Sequence, residues 1–98
     1  MEKYAIVMQA KDNVATALCD IPQGTNINID LGMTKKKIEI IEMIPFGHKF
    51  AIKNIMKGEN IIKYGEPMGE AIEKIEHGTL VHIHNVISKR ARGDLISK

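Results

Sequence analysis

The sequence predicts an all-β domain of short strands. Eight glycines, from Gly24 to Gly93, punctuate the chain at intervals of 4 to 15 residues. Segments rich in Ile and Val lie between them, the rhythm of short strands joined by tight turns. The 98 residues, 44% hydrophobic and 27% charged, suit one small domain with a modest core and exclude a disordered chain.

Tyr4–Gln9 and Val14–Leu18 read as a first strand pair, joined by the polar turn Ala10-Lys11-Asp12-Asn13. Asp12 and Asn13 suit such a turn because their side chains bond nearby backbone. Ile27–Asp30 alternates and stops at Gly32. Lys36–Ile44 fits either a helical stripe or a strand with a bulge at Ile41; its β-branched residues and Pro45 favour the strand. Phe50 and Ile52 alternate around Ala51, and Asn60–Tyr64 is a strand closed by Gly65. Met68, Ile72 and Ile75 fall at helical spacing, so Gly69–Ile75 is expected to form one or two short helical turns. Thr79–Ile87 is expected to be one continuous strand with Val81 and Ile83 on one face. No internal repeat, low-complexity tract or linker is evident, and residues 88–98 are expected to fray.

Fourteen basic and twelve acidic side chains give a net charge of +2, so no global field favours nucleic acid or anionic lipid. The basic runs Lys35-Lys36-Lys37 and Lys89-Arg90-Ala91-Arg92 read as a solvated turn and tail. Aromatics are only 4%, too few for a base-stacking surface, which argues against a nucleic-acid binder. Cys19 is the single cysteine, so no intrachain disulfide forms and a reducing compartment fits. The first residues lack a signal-peptide core, and Glu39 and Glu42 interrupt the longest apolar stretch. A cytoplasmic protein is expected. Free strand edges favour a dimer or a larger assembly.

His82 and His84 are the most informative pair. On a strand, residues i and i+2 share a face, and two neighbouring imidazoles can hold a divalent metal. A third ligand would have to come from His48, His77, Asp12 or Glu66, and on spacing alone a solvated pair is the more ordinary reading. His48 follows Gly47, which lets a loop project its imidazole as an acid or base. Lys49 beside it could pair with a carboxylate, and Lys63 with Tyr64 could bind a polyhydroxy acid. An ordinary hairpin turn and a strand-edge lysine are the plain alternatives. No P-loop, dinucleotide fingerprint, CxxC pair or nucleophile elbow is present.

Longer strings carry more. Asp12-Asn13-Val14-Ala15-Thr16-Ala17-Leu18, Gly47-His48-Lys49-Phe50-Ala51, the run Lys57 to Gly69 and Val81-His82-Ile83-His84-Asn85 together resemble the SAF domain of the altronate and galactarate dehydratase family. The resemblance covers about Asp12 to Asn85 in the family's order. It implies a β-clip fold, a folded-over assembly of short strands. It also implies a small subunit working beside a large catalytic one, as in two-part sugar-acid dehydratases and sulfolactate sulfo-lyase. Because no large domain follows the Val81–Asn85 string in this chain, catalysis by the chain alone is not expected.

The chemistry so implied is β-elimination. A base removes the proton beside a carboxylate while a neighbouring hydroxyl or sulfonate leaves. The resemblance places His48 as acid/base, Lys49, Lys63, Tyr64 and Asn85 on substrate, and His82 and His84 on a divalent metal, iron or manganese. The substrate stays open among hexonates, hexarates and sulfolactate. The alternative is a non-catalytic binding module for a sugar acid or a partner protein.

Overall fold

In the computed structural model, which describes residues 4–31 and 34–88, four turns of one build organise the chain. Each begins at a buried isoleucine (Ile21, Ile44, Ile55 or Ile75) and reaches a glycine three residues later with φ between +82° and +91°. In each, the carbonyl after the isoleucine accepts from the N–H after the glycine. The pairs are Thr25 to Pro22, His48 to Pro45, Glu59 to Met56 and Thr79 to Glu76. Positive φ at the third position is what a type II turn requires.

The turns dock in twos. Ile21 bridges Ile44 and Ile55 bridges Ile75, both antiparallel. The glycine N–H groups donate across each pair, Gly24 to Ile40, Gly47 to Ala17, Gly58 to Ala71 and Gly78 to Ala51. Asp20 Oδ1 accepts from Phe46 N–H in one pair, and Asn54 Oδ1 accepts from His77 N–H at the matching place in the other. The chain thus carries an internal structural repeat that its sequence did not advertise.

Among the described residues, nine short strands run between and beside these turns. A four-stranded antiparallel sheet has the order β1 (Ala5–Ile6), β2 (Val14–Ala17), β5 (Lys49–Ala51) and β8 (Leu80–Val81). β3 (Asn26–Asp30) pairs with β4 (Lys35–Glu39), and β6 (Asn60–Lys63), β7 (Glu66–Ala71) and β9 (Val86–Ser88) form a third sheet. The described residues contain no helix, in keeping with the all-β, SAF-like expectation, and no membrane-spanning candidate among them. The Lys35–Lys37 run lies on β4, where charge guards a sheet edge.

The four-stranded sheet is covered on both faces. Successive strand residues point to opposite sides, so Ala15, Ala17, Phe50 and Ile52 enter one core with Ile21, Ile27, Ile29, Ile38, Ile40 and Ile44. Val14, Ala51 and Val81 enter a second with Ile55, Ile61, Ala71 and Ile75. Two-sided burial explains why β2 and β5 read as near-continuous small and apolar runs rather than alternating ones.

Three local expectations are corrected. Gly69–Ile75 is not helical: β7 continues to Ala71, where its pairing with β9 wins over the local stripe, and Met68 and Ile72 stand exposed. Thr79–Ile87 is not one strand. It breaks after Val81 because the buried Asn85 carboxamide accepts from His82 N–H and donates to the Leu80 carbonyl, closing a turn. Ile83 at its tip is 82% exposed while Val81 is buried, so the two do not share a face. Finally, Lys36–Ile44 ends as a strand at Glu39, and Ile41 lies in a bend where its N–H donates to Gly78 O. The expected fraying from 88 and the Lys89–Arg92 run concern residues outside the described ones, Ser88 excepted.

Candidate functional site

Register builds the site. Lys49 on β5 pairs with Val81 on β8 in an antiparallel ladder, so His48, one residue before, falls opposite His82, one residue after. Their rings meet at a centroid separation of 5.1 Å with an interplanar angle of 59°. Val81 and Lys49 therefore do more to bring these imidazoles together than the i, i+2 spacing of His82 and His84 does. With the strand broken after Val81, that spacing no longer places His82 and His84 on one face; His84 sits exposed in the turn.

His48 belongs to the second of the four turns. Its Nδ1 lies 3.3 Å from the Phe46 carbonyl; with the proton on Nδ1 this ring nitrogen donates, leaving Nε2 free to accept a proton. Lys49 is half-buried. Burial first, and the Lys63 ammonium second, hold its pKa below the usual lysine value of 10.5. The cations of neighbouring sheets are thus close enough to feel each other.

Lys49 and His82 line an open cleft of about 300 Å³ that also has Met68, Ile83 and Val86 on its walls. Among the described residues no acidic side chain lines it. An ammonium in such a setting favours an anion, because a carboxylate or sulfonate supplies the opposite charge that the walls lack.

Lys63 ends β6, with its Nζ 5.1 Å from the centroid of the Tyr64 ring. Tyr64 and Gly65 turn the chain into β7 with φ of +58° and +73°. Positive φ at both positions of a two-residue hairpin loop is the type I′ turn that matches strand twist. Asp12 Oδ2 accepts from Tyr64 N–H at 3.0 Å and from Gln9 N–H at 3.1 Å, and Oδ1 accepts from Gly65 N–H at 2.8 Å. Asn13 acts alongside. Its Oδ1 accepts from Ile62 N–H and its Nδ2 donates to the Asn60 carbonyl, so the amide extends the ladder of β6.

The sequence read Asp12 and Asn13 as a local turn, and their reach to residues 60–65 was missed; polar side chains buried in an Ile-rich domain are the signal that could have shown it. Asn85 is buried, with its carboxamide engaged in the 82–85 turn. His77 pairs with Asn54, and Glu66 is exposed at the start of β7. Among the described residues no three His, Cys, Asp or Glu side chains converge. These residues do not fit a complete iron or manganese site.

The model of the altronate/galactarate dehydratase SAF domain matches residues 3–89. The chain belongs to this family. Over 80 residues, 82% of this chain, it is 42% identical to the altronate dehydratase of Escherichia coli strain K12. It is 37% identical over 83 residues to that of Bacillus subtilis strain 168. It spans only 15% and 16% of those longer proteins. It is also 39% identical over 66 residues to the (2R)-sulfolactate sulfo-lyase subunit alpha of Paracoccus pantotrophus, covering 67% of this chain and 91% of that one. The relatives of this SAF domain are thus dehydratases and a lyase subunit.

Proposed function

We propose that this SAF domain is the small subunit of a two-chain lyase, a sugar-acid dehydratase or a close relative acting on sulfolactate, and that it lends its cationic cleft to a site completed by a larger chain. The observation that carries this reading is the β5–β8 register, which sets His48 against His82 beside a cleft lined by Lys49 and His82 and, among the described residues, by no acidic side chain. The similarity to a relative named as a subunit alpha, 91% of which this chain covers, supports the two-chain form.

In this reading the substrate carboxylate is held by the Lys49 and Lys63 ammoniums, which also withdraw charge from the neighbouring carbon and make its proton easier to remove. His48, free at Nε2, accepts or returns a proton during β-elimination. Tyr64 offers its hydroxyl to a substrate hydroxyl, and Asn85 acts on substrate indirectly, by shaping the turn that carries His82. An iron or manganese ion used by the assembled enzyme would take most of its ligands from the larger chain, with His82 or His84 as contributors. Reaction in the cytoplasm fits the single free cysteine.

The test is reconstitution with the larger chain and assay of keto-acid formation from altronate and galactarate, and of elimination from sulfolactate. His48→Ala is expected to lower kcat about 100-fold or more, the usual worth of a positioned proton-transfer group. Full turnover by the larger chain alone, or by the complex carrying His48→Ala, would overturn the proposal.

A further inference from the structure

Tyr64 is the one non-glycine residue among the described residues with positive φ. Left-handed backbone is disfavoured for a bulky side chain, and the first position of a type I′ loop usually goes to Asn, Asp or Gly. Gly65 beside it takes its positive φ without penalty, and a Cβ there would meet only the flexible ends of the Gln9 and Lys11 side chains. The strain of the hairpin therefore rests on Tyr64, and something outside the hairpin has to hold it.

That something is Asp12. Its side chain reaches 52 and 53 positions along the chain to accept from both loop N–H groups, while Gln9 N–H fixes the carboxylate from its own side. Asp12 is only 1% exposed, so water competes poorly for these bonds, and bonds to an ionised acceptor are stronger than neutral ones. A strained, over-determined backbone beside candidate site residues points to function. Lys63 immediately precedes the loop, with its ammonium over the Tyr64 ring.

We propose that Asp12 is a positioning residue: its buried carboxylate fixes the left-handed Tyr64–Gly65 loop and, through it, the place of the Lys63 ammonium in a carboxylate-binding site. This rests on the reading above that Lys63 and Lys49 hold a substrate carboxylate. Asn at position 12 would keep one acceptor but turn an NH2 group towards a backbone N–H, so the loop would lose part of its hold.

Titration of the full chain with galactarate, followed by amide NMR, tests the functional half. Asp12→Asn should weaken binding about threefold or more, and the loss should be smaller in a Lys63→Ala background, where Asp12 keeps only its hold on Tyr64. An equal loss with Lys63 absent overturns the proposal. Urea unfolding tests the structural half. Asp12→Asn should lower the midpoint less in a Tyr64→Gly background, where the loop needs no restraint, than in the native one; equal shifts overturn it. Should Asp12→Asn not fold alone, the titration compares Tyr64→Gly with Tyr64→Gly/Asp12→Asn, and the double variant should bind within about twofold of the single one. Absence of galactarate binding by the native chain overturns the carboxylate reading, and the unfolding comparison then decides the clamp by itself.

Discussion

Lys49 carries its ammonium half-buried and within reach of a second one, and that combination sets the chemistry at the scale of single residues. Burial contributes most to its lowered pKa and Lys63 the rest. Lys63→Ala is therefore expected to move the Lys49 pKa upward but leave it below the ordinary value, measured by 13C NMR at Lys49 Cε against pH. No movement would mean the two ammoniums do not interact. The sign of the linkage follows. With the folded pKa below the unfolded one, the unfolded chain holds more protons in the window between them, so Lys49's contribution to stability improves as pH rises through that window. Anion binding runs the other way and weakens as pH rises through the lowered value, earlier than for an ordinary lysine.

Asn85 shows a second kind of residue-scale work. Both ends of its carboxamide are used, and its own carbonyl accepts from Ile72 N–H. Asn85→Ala is expected to cost about 1–3 kcal/mol by urea denaturation, because part-buried backbone groups at His82 and Leu80 lose their partners. A neutral result would contradict the turn-shaping role.

At the scale of elements, the four turns differ in how tightly they are packed, and their glycines should differ accordingly. Gly24 and Gly78 share the same left-handed backbone, with φ of +88° and +85°. A Cβ at Gly24 meets nothing within 4 Å, whereas one at Gly78 would overlap the Glu39 carbonyl. Gly24→Ala should cost about 1–2 kcal/mol, the backbone penalty alone, and Gly78→Ala distinctly more. Equal losses in urea unfolding would contradict the close approach of β4 to the last turn.

The strands were legible where local pattern and pairing agree. Ile27 and Ile29 alternate with polar residues on β3, and β1 pairs with β2 as expected, although β1 ends at Ile6 and not at Gln9. They were not legible where a distant partner decides. Met68 and Ile72 mimic a helical stripe, but β9 claims β7 as a strand. Asn85 breaks an apparent strand by bonding locally, and the repeat is hidden because each unit shares little more than an isoleucine and a glycine. At the site, Lys49, Lys63 and His48 could be singled out by residue type and resemblance. The meeting of His48 with His82 follows only from the β5–β8 register, which no linear spacing reveals.

At the scale of the whole molecule, one thin sheet separates two apolar cores, and the site sits at the sheet's β8 edge. Phe50, fully buried in the first core, lies next to Lys49 on the same strand. Phe50→Ala is expected to cost about 3–5 kcal/mol and to perturb the Lys49 environment from the opposite face, seen as a shifted Lys49 Cε resonance. The exposed Phe46 and Ile83 flank His48 and His82 in sequence, apolar surface suited to the larger chain of the proposed enzyme.

The most direct measurement of the central claim is activity in a complex purified through this chain from its own cells, once with the native chain and once with Lys49→Ala. A cationic site shared between two chains predicts that a larger chain co-elutes in both, with elimination from altronate, galactarate or sulfolactate in the native complex and a large loss in the variant. Undiminished activity with Lys49→Ala, or a native complex inert towards all three acids, would contradict it.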